Sequence, residues 1–137
     1  MSVLQPTVGE LADRQTILEL KVHHGRAAGV ETSMWASELH EIEERLAKGR
    51  TGFTAEEQHL FTRLFGTLRS INASLWVAED EVRAMPESEL AALAALAKRI
   101  ANLNDQRAQS VRELNRLAGE NVTGNEKVYA AAKHRAR

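Results

Sequence analysis

Two long stretches of the chain carry apolar residues at alternating spacings of three and four, and few folds accommodate such a repeat. The first stretch spans residues 61–85 and the second spans residues 90–118. A period near 3.5 residues held over this length indicates helices packed lengthwise against a near-parallel partner, as in a coiled coil. Pro86 stands between them and ends the first helix. We therefore expect an antiparallel helical hairpin of residues 54–85 and 88–118, each helix about 45–48 Å long.

Two shorter helices are predicted before the hairpin, at residues 8–25 and 33–48. Thr7 and Glu10 match a capping box, in which the threonine hydroxyl and the glutamate carboxylate each accept a backbone N–H at the helix start. The same pattern recurs just before the third helix. No stretch alternates strictly between apolar and polar residues, so no strand is expected. The sequence therefore predicts an all-α, four-helix fold.

The length of 137 residues fits one domain, which we place at residues 1–130. Residues 131–137 are basic and contain little to bury, so we expect a frayed tail that folding does not require. Tyr129 precedes this tail, and we expect its ring to dock against a helix end.

Composition excludes several classes of protein. The chain has no cysteine, which removes disulfides, thiolate metal sites and cysteine nucleophiles. The net charge is −1 and the helices form no basic stripe, so nucleic-acid binding is not favoured. No apolar run reaches the roughly 20 residues that span a bilayer, and the start lacks the pattern of a secretory signal. We therefore expect a cytoplasmic protein.

Metal, cofactor and nucleophile patterns are weak. Glu56 and His59 form the single E-x-x-H pair, and Glu19 and His23 lie one helical turn apart. A di-iron helical bundle requires two E-x-x-H pairs and two further glutamates, so this set is too small and no metal is expected. No serine lies in a G-x-S-x-G turn, and residues 49–52 do not match a phosphate-binding loop. The sequence predicts no cofactor and favours a protein without catalytic activity.

An inward polar cluster is the feature with the most functional content. Arg107 falls where the apolar rhythm of the fourth helix calls for a buried side chain, and an unpaired buried guanidinium costs several kcal/mol. We predict that it pairs with Glu79 or Asp13, and that asparagine amides and an indole complete the hydrogen bonds. The cluster either fixes the register of the helices or binds a small anionic or hydroxylated ligand. Its candidate residues are Asp13, Asn72, Trp76, Glu79, Asn104 and Arg107.

Four motifs in this order resemble a family of short bacterial proteins of unknown function. They are GELADRQTILELK at residues 9–21, NASLWVAEDEVR at 72–83, NDQRA at 104–108 and EKVYA at 126–130. Gln15 departs from the family pattern, which has an apolar residue there. The resemblance implies genes located near surface-polysaccharide glycosyltransferases, and it implies no activity.

The preferred functional hypothesis is a non-catalytic helical module that self-associates or docks on a protein partner. The alternatives are a small-molecule-binding protein or small enzyme that uses the polar cluster, with a link to surface-polysaccharide biosynthesis, and a structural component of a larger assembly such as a virion. Two short helices placed on one side cover only half of the hairpin, and large exposed apolar patches are rare on monomers. We therefore predict a homodimer or a higher oligomer formed through the long helices.

Overall fold

The computed structural model describes residues 5–120, and the predicted all-α, four-helix fold is confirmed. The four helices are α1 (Val8–Ala27), α2 (Ser33–Gly49), α3 (Ala55–Ala84) and α4 (Leu90–Leu117). Helices α3 and α4 are joined by five residues and pack closely against each other, as expected of an antiparallel hairpin. The prediction that Tyr129 docks and that residues 131–137 form a tail concerns residues outside this range.

Both predicted capping boxes are present. The hydroxyl of Thr7 accepts from the backbone N–H of Glu10 at 3.1 Å, and the Glu10 carboxylate accepts from the N–H of Thr7 at 2.9 Å. Thr54 and Glu57 make the same pair of hydrogen bonds at the start of α3. Each box satisfies two backbone donors that have no partner inside the helix, so the sequence locates these two helix starts closely.

Two helix ends differ from the prediction. Helix α4 begins at Leu90 rather than at residue 88, because residues 86–89 form a turn closed by the N–H of Glu89 donating to the Pro86 carbonyl at 3.0 Å. Gly25 lies inside α1 and does not end it. A Cβ at Gly25 would lie 2.8 Å from the Thr32 side chain and 3.0 Å from the Trp35 ring, so the glycine lets α1 and α2 approach closely.

Helix α1 is the centre of the arrangement because its backbone lies close to each of the other three helices, whereas among residues 5–120 the backbone of α2 lies close only to α1. The largest fully buried apolar side chains lie where α1 meets the end of the hairpin far from the connecting turn, at Leu18, Phe61, Leu68 and Leu114. The main core therefore occupies one end of the molecule. Within residues 5–120, the other end contains only α3 and α4.

No residue from Leu90 to Gln109 is buried, although these residues make up more than half of α4. None of the four helices in residues 5–120 has the length and apolar character needed to cross a membrane.

Candidate functional site

An ion pair between α1 and α4 forms the centre of the polar cluster. Arg107 Nε donates to Asp13 Oδ1 at 2.8 Å, and Arg107 Nη2 donates to Asp13 Oδ2 at 2.6 Å. The two side chains are 33% and 16% exposed, respectively, so the pair is partly shielded from water. The bidentate geometry fixes the orientation of both groups. The predicted pairing of Arg107 with Asp13 is therefore present.

Helix α3 joins this pair through Asn72, which is only 3% exposed. Its amide nitrogen donates to Asp13 Oδ1 at 2.8 Å and to the hydroxyl of Thr16 at 2.7 Å. The Thr16 hydroxyl in turn donates to the backbone carbonyl of Asp13 at 2.9 Å. In residues 5–120, no buried side-chain nitrogen or oxygen lacks a hydrogen-bond partner. The network is thus satisfied by the protein itself.

The electrostatics of Arg107 favour its charged form. The hydrogen bond to Asp13 raises the pKa of Arg107 most, burial opposes this by lowering it, and attraction to Asp13 and Glu79 raises it further. The guanidinium therefore keeps its charge at every physiological pH, and it serves here as a fixed cation rather than a proton donor.

Three candidate residues lie outside the hydrogen-bonded network. The Trp76 ring stacks on the His24 ring, with centroids 4.7 Å apart and planes 8° from parallel. Glu79 is exposed and reaches Arg107 only by longer-range attraction. Asn104 is also exposed, so its predicted core position is wrong. Leu103 is half-buried instead, and one residue along a helix turns the side chain by about 100°.

A second polar contact holds the start of α1 against the end of α4. The backbone N–H of Gly9 donates to Asn115 Oδ1 at 2.7 Å, and the N–H of Val8 donates to a carboxylate oxygen of Glu120 at 2.9 Å. Two free donors of the α1 N-terminus are thereby satisfied, one from α4 and one from Glu120 just beyond its end. Sequence reasoning missed Asn115, although it lies one turn after Val111 on the α4 face that the rhythm marks as inward.

Comparison with known proteins gives no relative for this arrangement. No family model, no curated protein and no solved structure matches the chain. The resemblance of the four sequence motifs to a bacterial family stays a prediction, and the site must be interpreted from its own geometry.

Side chains that can bind a metal are not clustered in the described part of the chain. No group of three or more histidine or acidic side chains within residues 5–120 is arranged to hold an ion. Glu56 and His59, the E-x-x-H pair, both lie exposed in the first turns of α3.

An exposed apolar surface lies along the first part of α4, next to the stripe of half-buried side chains on the same helix. Leu90 is 73% exposed, and the alanines of this face are exposed as well, while Leu93 and Ile100 are half-buried. Spacings of three and four place these residues along one side of the helix. We call this surface the α4 face, and its members are Leu90, Leu93, Ala94, Ala97, Ile100, Ala101 and Asn104.

Proposed function

We propose that this protein is a non-catalytic helical module that forms a homodimer through the α4 face. The observation that carries the proposal is the composition of residues 90–103, where Lys98, Arg99 and Asn102 are the only polar side chains and no side chain is buried. A helix that is apolar on nearly all sides is normally enclosed by other elements. Among residues 5–120 no other helix buries this segment, so a second molecule would remove the rest of its apolar surface from water.

A second copy fits this surface because large side chains of the α4 face can lie opposite small side chains of the same face in the other copy. A two-fold axis at Ala97 would set two α4 helices antiparallel and place residues at equal distances from Ala97 opposite each other. Leu93 would then meet Ala101 of the other copy, and Ile100 would meet Ala94. Each large side chain faces a small one, which is how helix surfaces interlock at close range. Ala97 would meet its own counterpart, where the absence of a larger side chain allows close approach.

The polar cluster supports this proposal by a structural role. It ties α1 to both helices of the hairpin through Asp13, and a polar network of this kind favours one register over others. Holding α1 at the core end of the hairpin leaves the α4 face free for a partner. The Asp13–Arg107 pair and its Asn72 contact act as a positioning device, and none of their hydrogen bonds needs a ligand to complete it.

The test is a pair of matched substitutions followed by sedimentation velocity. Ala97→Glu brings two carboxylates together at the proposed axis, so we expect the dimer of the native chain to become a monomer at micromolar concentration. Ala95→Glu is the control, because Ala95 is exposed on the same helix but points about 200° away from Ala97. We expect this variant to remain a dimer, and both variants to keep native helicity by circular dichroism.

Two results would contradict the proposal. One is a native chain that sediments as a monomer at all accessible concentrations. The other is an Ala97→Glu variant that stays dimeric, since that would place any dimer contact elsewhere.

A further inference from the structure

A groove between α2 and α3, lined by none of the α4 residues, has the features of a small-molecule site. Its volume is about 310 Å³. This volume lies at the lower end of the range for small-ligand pockets, about 300–1,000 Å³. Leu46, Phe61 and Phe65 contribute an apolar lining, and the charged residues Arg50, Arg69 and Glu43 also line it.

Arg50 is held in a fixed position within this groove. Its guanidinium lies over the Phe61 ring, 4.2 Å from the centroid, and its Nε donates to Gln58 Oε1 at 2.8 Å. The amide nitrogen of the same Gln58 donates back to the Arg50 carbonyl at 2.9 Å. A stacked ring and a two-way amide contact thus restrain both the backbone and the head group of the arginine.

The two terminal nitrogens of Arg50 remain available. Among residues 5–120, no carboxylate lies within ion-pair distance of Arg50 and no acceptor bonds its terminal nitrogens. Arg69, the other arginine of the groove, differs because it forms a bidentate pair with Glu19 at 2.9 and 3.1 Å. Arg50 is therefore the cation that can receive an anion in this groove.

Gln15 adds a polar group to the apolar lining. It comes from α1, is 8% exposed and lines the groove. Its amide nitrogen donates to Glu19 at 3.2 Å. No donor among the described residues bonds its amide oxygen, so that oxygen can accept from a ligand hydroxyl.

We propose that the Arg50 groove binds a small aromatic molecule bearing one phosphate or carboxylate group. The anion would be held by the terminal nitrogens of Arg50, which match two oxygens of either group. The Arg69 guanidinium lies over the Phe65 ring, 4.8 Å from its centroid, so the aromatic body would lie against the remaining exposed parts of Phe65 and Leu46. This proposal does not depend on the dimer, because none of these residues belongs to the α4 face.

The experiment is an NMR titration of the full chain with phenyl phosphate and with phenylacetate. We expect shifts of the Arg50 Nε–H and of the Phe65 ring protons with one or both compounds, and the tighter one identifies the preferred anion. Benzyl alcohol, which has the ring without the charge, and inorganic phosphate, which has the charge without the ring, should both bind at least about tenfold more weakly.

Two variants make the result specific to the groove. Arg50→Gln should weaken binding of the tighter compound at least about tenfold, whereas Arg63→Gln, which removes an exposed arginine from α3, should not change it. Ala47→Phe keeps Arg50 and fills the groove from α2, so it should also abolish binding. The proposal is overturned if neither compound shifts these resonances, if inorganic phosphate binds as tightly, or if Arg63→Gln weakens binding as much as Arg50→Gln does.

Discussion

Single residues decide how α1 docks on the hairpin. Gly9 lies so close to α4 that a Cβ would sit 2.3 Å from the Val111 carbonyl oxygen and 2.7 Å from Asn115 Oδ1. The same approach lets the N–H of Gly9 reach the Asn115 amide. The absence of a side chain at Gly9 thus allows α1 and α4 to approach closely. Its effect on stability depends on the α4 residues that it faces.

Gly9→Ala should therefore destabilise the protein by about 1–3 kcal/mol or more, since the carbonyl it meets belongs to a rigid helix backbone. Gly66→Ala is the matched control, because a Cβ there meets nothing within 4 Å inside the long helix α3. This variant should gain about 0.5–1 kcal/mol from the better helix propensity of alanine. Urea unfolding followed by circular dichroism measures both free energies. Equal effects of the two substitutions would show that α1 does not approach α4 so closely.

A second prediction for single residues concerns the Asp13–Arg107 ion pair. Replacing Arg107 by Met leaves a half-buried carboxylate that keeps only its Asn72 contact, so we expect a loss of about 1–2 kcal/mol, reduced by the partial exposure of the pair. Asp13→Asn should cost a similar amount. In the double variant the two losses should fall short of their sum by at least about 0.5 kcal/mol, as measured by a double-mutant cycle. Additive losses would mean that the pair contributes nothing to stability.

Helix α4 has two parts that differ in how deeply their side chains are buried. From Ser110 onward it has buried side chains, whereas no side chain from Leu90 to Gln109 is buried. A two-helix segment without a third layer buries little apolar area and opens easily. The stability of this segment should therefore depend on the proposed partner.

Hydrogen exchange tests this dependence directly. In the proposed dimer, backbone amides of residues 90–103 should be protected, because two copies of α4 would cover each other. In the Ala97→Glu variant their protection should fall by at least about tenfold, while residues 110–117 keep theirs. Equal protection of residues 90–103 in both proteins would contradict a dimer through this segment.

The sequence predicted some elements well and others poorly for physical reasons. Local sequence patterns locate a helix boundary closely where the pattern has one main structural interpretation, as at the capping boxes and at Pro86. In α4 they are insufficient, because Leu96 and Ala97 are both apolar and the rhythm can pass through either one. The structure selects Leu96 and Leu103 as the half-buried positions, which leaves Ala97 and Asn104 exposed.

The site shows the same division between local and long-range information. The need of Arg107 for a carboxylate follows from its position alone, so pairing with either Asp13 or Glu79 could be predicted. The choice between Asp13 and Glu79, and the contact of Asn115 with Gly9, depend on how α1 crosses the hairpin. That crossing results from packing between residues about a hundred positions apart, which no local pattern records.

At the scale of the whole molecule, the core and the polar cluster lie at one end and the exposed apolar surface lies at the other. Helix α1 and helix α2 complete a bundle around the ends of α3 and α4 that are far from their connecting turn. The rest of the hairpin extends beyond this bundle with one side of α4 open. A second copy placed there would complete a bundle of four long helices, which is a common solution for hairpins of this length.

Cross-linking at the proposed axis tests this account most directly, because the chain has no cysteine of its own. Two alanines that meet at a two-fold axis can lie within the 4.4–6.8 Å between Cα atoms that a disulfide spans. We predict that Ala97→Cys, oxidised at micromolar concentration, gives a covalent species of twice the 15.2 kDa chain mass, as measured by mass spectrometry. Ala95→Cys should stay almost entirely monomeric under the same conditions. If Ala97→Cys fails to cross-link, or if Ala95→Cys does so equally well, the two helices do not meet at Ala97 and the proposed dimer is wrong.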